Sequence, residues 1–251
     1  MNHSATLGRR AVREALRTPD SLIPTIFIPL FFLVVNTGQV ARIFPKAGTP
    51  FLGGQGYAAF QLPQSILLAA SFGSAALYLV EEIEGGYFDK LRATPIPRSA
   101  IVLGRLYAEV AKSIVITTAM VAIALPFGVR VRSGVGGYFV LVVMVALWAM
   151  VFSGFMQLIA LKTRSAAATN AGSLVFFPLL FLTPSFVPRS QLTRPMEIAA
   201  TFNPVTYIME AARSLILDGY RWDVIGKGFL VIAVAAVVMF SLSVRMINNY
   251  D

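Results

Sequence analysis

The chain has 251 residues, of which 57% are apolar and only 13% charged. Soluble domains carry about 25% charged residues because their surface faces water, so an ordinary soluble fold is excluded. The net charge of +9 lies in short basic clusters between long apolar runs, which suits anionic membrane lipids and excludes nucleic acid as the expected partner. With no cysteine and His3 as the single histidine, disulfides, a histidine metal cluster and a Ser/His/Asp triad are also excluded.

Residues 4–17 predict an amphipathic helix that lies on the membrane surface. Its arginines fall on one face and its apolar residues on the other: Leu7, Ala11, Val12, Ala15 and Leu16. The alternative, the basic start of a signal peptide, is disfavoured because no small-residue cleavage site follows.

Six apolar runs are long enough to cross a bilayer, which needs about 20 residues of helix. They cover residues 21–37, 58–80, 106–126, 138–160, 167–187 and 223–244. An even number of spans puts both termini on one side, and the basic residues of the shorter connecting segments favour a cytoplasmic location for both. The sequence therefore predicts an all-α integral membrane protein, 1–251, forming a single transmembrane domain.

The segment 81–105 is the most charged stretch between two spans. Tyr87, Phe88 and Leu91 form a small apolar ridge on a short helix that Pro95 and Pro97 would end. Two interpretations remain open at this point: an ordinary solvated loop, or a helix that docks into a groove of a soluble partner.

The segment 188–222 precedes the last span and contains a second helical pattern. Asn203 and Pro204 are a favourable helix start, and apolar residues then recur at helical spacing up to Asp218. The pattern predicts an amphipathic helix at an interface. Glu210 and Arg213, three residues apart, are also compatible with a plain surface ion pair.

Few polar residues lie inside the predicted spans. Gln61 and Gln64 share one face of the second span, and Glu109 and Lys112 lie near the start of the third, where Lys112 is expected to reach the inner membrane interface. No carboxylate lies deep in a span, which argues against a proton relay or an ion-coupled secondary transporter.

The order of these elements resembles the ABC-2 type exporter permeases. Glu81, Gly85, Leu91 and Pro95 are similar to the loop between the second and third spans of that family, and Asn203–Gly219 to its signature before the last span. The likeness is to the daunorubicin-resistance-type branch of drug and lipid exporters.

The resemblance implies a half-transporter that works with other subunits. Two permeases, identical or homologous, pair in the cell membrane, and each docks a cytoplasmic ABC ATPase through the coupling loop and the surface helix. ATP and Mg belong to that partner, and no cofactor, metal or catalytic residue is expected in this chain. The docking residues implied are Glu84, Tyr87, Phe88, Lys90, Leu91 and Arg92.

The resemblance also implies a path and a gate for a hydrophobic or amphiphilic cargo, a drug or a lipid. The second and fifth spans would border the path, with Gln61, Gln64, Thr169 and Asn170 as candidate lining residues. Hydrogen bonding between helices is an equally good role for these four. The outer gate would consist of Asn203, Pro204, Tyr207, Glu210 and Arg213, in short helices that re-enter the membrane from outside. The rival class is an ATP-independent secondary transporter or assembly factor.

No nucleotide site is visible in the sequence. The single Gly-Lys pair, Gly226-Lys227, is followed by Gly228, whereas a P-loop needs Ser or Thr there. Leu52-Gly53-Gly54-Gln55 looks like a fragment of the ABC ATPase signature without its serine, which we interpret as a coincidence.

Overall fold

The computed structural model describes residues 19–72, 75–86 and 98–248. The predicted surface helix 4–17 lies outside these residues. So do five of the predicted docking residues: Tyr87, Phe88, Lys90, Leu91 and Arg92.

Every regular element within these ranges is helical, which confirms the all-α prediction. The α-helices are α1 (Pro19–Val40), α2 (Tyr57–Ser71), α3 (Ala75–Glu84), α4 (Arg98–Ala124), α5 (Gly134–Thr163), α6 (Ala166–Ser173), α7 (Phe176–Phe181), α8 (Arg194–Phe202), α9 (Pro204–Leu217) and α10 (Trp222–Asn248). Short 3-10 turns occupy Pro50–Leu52, Leu125–Phe127 and Arg189–Gln191.

Three helices among the described residues are long and apolar enough to cross a membrane. They contain Leu106–Phe127, Gly134–Thr163 and Trp222–Ser243 and correspond to the third, fourth and sixth predicted spans. Shorter apolar helices lie at Thr25–Val40 and within Ala166–Phe181. The membrane-embedded fold is therefore confirmed, and the number of six spans stays a prediction.

Two predicted spans are divided in the structure. The second, 58–80, is shared between α2, which ends at Ser71, and α3. The fifth, 167–187, breaks after α6, where the Leu174 and Val175 amides bond to carbonyls three residues earlier. Pro178 contributes to this break because it has no N–H to offer the carbonyl four residues before it.

Helix α5 lies at the centre of the bundle. It packs against α2, α3, α4, α6, α9 and α10. Its apolar residues surround the whole helix, the pattern of a buried element. Buried Trp148 ties it to α2, since its Nε1 donates to Ser71 Oγ at 3.0 Å. In contrast, α10 leaves apolar side chains such as Val234 and Val237 exposed, as a lipid-facing helix does.

The connection between α3 and α4 is shorter than the predicted loop 81–105. Helix α3 continues to Glu84, which is exposed, and α4 already begins at Arg98. The stop comes from Gly85 and Gly86, because Gly86 adopts a φ of +67°, a left-handed conformation that suits glycine at a helix end.

Candidate functional site

The C-terminal end of α9 is held by a loop between α4 and α5. The Arg132 amide donates to the Ile216 carbonyl at 3.1 Å, and the Ser133 amide and hydroxyl donate to the Leu215 carbonyl at 3.1 and 2.7 Å. Arg132 Nη1 donates to the Leu217 carbonyl at 3.2 Å. These carbonyls have no partners within their own helix, and a cation beside them also complements the helix dipole.

A second loop, between α1 and α2, joins the same end. Gln55 Nε2 donates to the carbonyls of Arg130 and Ile216 at 2.9 and 2.8 Å, and its Oε1 accepts from the Arg130 amide at 2.7 Å. The Gly53 carbonyl accepts from Arg132 Nη1 at 3.1 Å. Residues 52–55, which resemble a fragment of the ABC ATPase signature, thus connect the α1–α2 loop to the α4–α5 loop and to the end of α9. We call residues 53–57, 130–133 and 215–217 the capped end of the bundle.

Arg213, the arginine of the predicted gate, is buried, with 7% of its surface exposed. Its Nε donates to the Phe60 carbonyl at 3.2 Å, and its Nη1 to the Pro184 carbonyl at 3.0 Å. The guanidinium carbon also lies 3.6 Å from the centre of the Phe60 ring, a cation–π contact. One side chain therefore links α9 to α2 and to the segment after α7.

The charge of Arg213 persists at neutral pH. Burial lowers its pKa to about 10, and the negative charge of Glu210 opposes that change. The Arg213 side chain is thus a cation that contacts two carbonyl groups and the Phe60 ring.

Glu210 has a partner that the sequence did not suggest. Arg189 donates to its two carboxylate oxygens from Nε and Nη2, at 3.0 and 2.9 Å, and the guanidinium also lies over the Tyr207 ring. Tyr207 Oη donates in turn to the Thr201 carbonyl at 2.8 Å. The plain surface pair between Glu210 and Arg213 is therefore wrong, because each residue bonds elsewhere.

The predicted start of α9 is confirmed in its local chemistry. Asn203 Oδ1 accepts from the Val205 amide at 3.0 Å, and Pro204 occupies the first helical position. Asn203 Nδ2 also donates to the Leu179 carbonyl, which attaches α9 to α7.

Helix α9 contacts several other helices, and its place at a membrane interface stays a prediction. It is buried on most sides because it packs against α2, α5 and α10. Gly228 of α10 permits the close approach, since a Cβ there would lie 2.8 Å from the Ala211 Cβ.

A cavity of about 380 Å³ opens beside these residues. Its lining combines charged side chains of α9 and its neighbours with apolar ones, among them Phe60, Arg189, Glu210, Arg213, Asp218 and Arg221. Three arginines against two carboxylates give the lining an excess of one positive charge.

The four predicted path residues fall into two places. Gln61 and Gln64 are buried in α2, and Gln61 Nε2 donates to Gln64 Oε1 at 2.7 Å. Thr169 is buried in α6, where its hydroxyl donates to the Ser165 carbonyl, while Asn170 is exposed. These bonds lie within single helices, and the path remains a prediction.

Lys112 lies inside the bundle, and its extension to the membrane interface stays a prediction. It is buried, and its Nζ donates at 3.1 Å to the carbonyl of Phe72, the residue that ends α2. A cation at this point complements the C-terminal end of the α2 dipole. From the sequence, Lys112 can be assigned to one face of α4. The helix that ends against this face, α2, cannot be identified from the sequence.

Comparison with known proteins identifies the family to which this chain belongs. The model of the ABC-2 type transporter family matches residues 3–217. The chain belongs to this family. It is 27% identical over 254 residues to the daunorubicin resistance ABC transporter permease protein DrrB1 of Streptomyces coeruleorubidus, covering 98% of this chain and 87% of that protein. It is 22% identical over 204 residues to the probable doxorubicin resistance ABC transporter permease protein DrrC of Mycobacterium tuberculosis, covering 79% and 71%.

Family and fold agree. The resemblance predicted from the 81–95 and 203–219 segments is confirmed, and the chain is a membrane-embedded ABC-2 permease subunit.

Proposed function

We propose that this permease subunit forms the translocation path of an exporter for a hydrophobic or amphiphilic compound, a drug or a lipid, in the cell membrane. The match to the ABC-2 type transporter family over residues 3–217 carries the proposal. The names of the two relatives, both drug-resistance permeases, favour an amphiphilic drug as cargo. ATP and Mg are bound by a separate cytoplasmic ATPase, since the sequence contains no P-loop.

Two permeases, identical or homologous, would enclose the path, with Gln61, Gln64, Thr169 and Asn170 near it. Buried Gln61 Oε1 has no hydrogen-bond partner among the described residues, which fits a group that meets cargo or a second subunit. ATP binding closes the ATPase pair, and the coupling loop passes that motion to α3 and α4.

In this proposal the gate lies along α9, from Asn203 to Arg213, and faces the outside. Any movement of α9 away from α2 must break the bond of Arg213 to the Phe60 carbonyl. The Arg189–Glu210 pair would be carried with α9 or released in the same step.

The docking assignment predicts that changing Tyr87, Phe88 and Leu91 together to Asp abolishes co-purification with the proposed ATPase partner. Three charges would replace the apolar ridge that enters the partner groove. The control variant carries Asp at Ile43 and Tyr220, which are exposed in other loops, and should retain the complex. Equal recovery of the ATPase with both variants would contradict the assignment.

The orientation predicts opposite labelling of two single-cysteine variants, which the cysteine-free chain makes unambiguous. In intact cells, a membrane-impermeant maleimide should label Arg194→Cys in the 188–222 segment and leave Glu81→Cys unlabelled. Both native side chains are exposed, so both variants should react once the membrane is permeabilised. Labelling of Glu81→Cys alone in intact cells would reverse the proposed topology.

A further inference from the structure

We propose that the 380 Å³ cavity beside α9 binds the anionic head group of an amphiphile, a phosphate or a carboxylate, with Arg213 and Arg221 as its cationic partners. The site concerns the permease alone and does not depend on the proposed transport function. A lost ATPase interaction would leave this binding intact, so the two proposals fail separately.

The first support is an incomplete set of hydrogen bonds. Arg213 bonds to two neutral carbonyls, and its Nη2 is buried without an acceptor among the described residues. A buried donor without a partner is costly, and one on a charged group more so. Arg213 lines the cavity, so a rotation of its guanidinium that exposes Nη2 lets an anionic oxygen bound there supply the acceptor.

The second support is the distribution of charge. Arg189 and Glu210 neutralise each other through two short bonds. Arg221 is 55% exposed and holds Asp223 at 3.4 Å, a loose contact that leaves its other donors available. Asp218 also lines the cavity and reduces the excess among the lining residues to one positive charge, with Asp223 outside the lining. A singly charged head group fits this balance.

The third support is the size of the cavity and its apolar lining. Its volume lies within the range of about 300–1,000 Å³ typical of ligand pockets and well above that of a lone ion. Phe51, Leu217 and Val224 add apolar wall for the first methylene groups of a tail. Tyr220 and Trp222 flank the lining residue Arg221 in sequence and are exposed and stacked with ring centres 5.3 Å apart, and such rings prefer the depth of lipid head groups.

Native mass spectrometry of the full-length permease in detergent tests the proposal with dihexanoyl phosphatidylglycerol as the probe. Dihexanoylglycerol, which lacks the phosphate, and inorganic phosphate, which lacks the tail, should each bind at least about tenfold more weakly, since each omits one part of the site.

Two variants locate the site. Arg213→Lys keeps the charge but removes Nη2, and should weaken phosphatidylglycerol binding about tenfold. Arg221→Gln, at the exposed rim, should weaken it by about threefold to tenfold without a cost in folding. The matched control is Arg194→Gln, another exposed arginine with a local acidic partner that does not line the cavity, and its affinity should equal that of the native chain.

Equal affinity of the native chain and Arg221→Gln for phosphatidylglycerol would overturn the proposal, whatever Arg213→Lys does to folding. Binding of dihexanoylglycerol as tight as that of phosphatidylglycerol would also overturn it, since the arginines would then play no part. Inorganic phosphate binding as tightly as the lipid would reject the amphiphile in favour of a free anion.

Discussion

Replacing Arg213 with methionine is expected to lower the free energy of unfolding by about 2–3 kcal/mol, because the Pro184 and Phe60 carbonyls lose a charged donor and the Phe60 ring loses its cation. Methionine also removes a buried charge whose Nη2 lacks a partner, which offsets part of this loss. The loss should exceed the gain, since no other hydrogen bond to the Pro184 carbonyl occurs among the described residues. Reversible unfolding in mixed detergent micelles, followed by tryptophan fluorescence, measures the difference.

The matched control is Arg194→Met. Arg194 is 81% exposed and pairs with Glu197 three residues later, so its replacement should change the free energy of unfolding by less than about 0.5 kcal/mol. Arg213→Lys should fall between the two, because it retains a charge but cannot reach two carbonyls with a rigid fork. Equal stability of the Arg213→Met and Arg194→Met variants would show that Arg213 does not fasten α9 to α2.

Arg213 also illustrates how much of this site can be predicted from the sequence. Periodicity places it on a helix that begins at Asn203, and the structure confirms that start. A single helical pattern cannot show what lies against the helix, and the Phe60 carbonyl is 153 residues away along the chain. Without that contact, the nearest carboxylate in sequence, Glu210, was the natural partner to expect.

The apolar runs were more informative than the polar residues. Residues 138–160 contain no charge and predict a span, and α5 is the most buried of the three long apolar helices. The division of 167–187 was harder to foresee, since its composition is that of a span and the break depends on bonds between residues three apart. Local backbone chemistry decides that point, not hydropathy.

The capped end was missed because its members are separated in sequence and unremarkable one by one. Gln55 bonds to a carbonyl 161 residues away, and Arg132 reaches Leu217 across 85 residues. The one available signal was the Gly53-Gly54 pair, since glycines in a short loop often mark left-handed backbone or a close approach. Gly53 has both a left-handed backbone and a close approach to Leu217.

Replacing Gly53 with alanine is expected to lower the free energy of unfolding by about 3–4 kcal/mol. About 1 kcal/mol comes from placing a Cβ at a φ of +57°. The rest comes from a steric clash, because that Cβ would lie 2.6 Å from the Leu217 carbonyl oxygen. This oxygen is a backbone atom and cannot rotate away as a side chain can. The displacement would also strain the bonds from Arg132 Nη1 to the Gly53 and Leu217 carbonyls.

Gly54→Ala separates the two contributions in the same unfolding measurement. Gly54 has a φ of +78°, yet no atom lies within 4 Å of the position its Cβ would take, so this variant should lose only about 1 kcal/mol. The excess loss in Gly53→Ala therefore reports the contact between the 53–55 loop and the end of α9. Should the two alanine variants prove equally stable, this loop would not hold α9 in place, and the attachment of the capped end would rest on Arg132 and Ser133 alone.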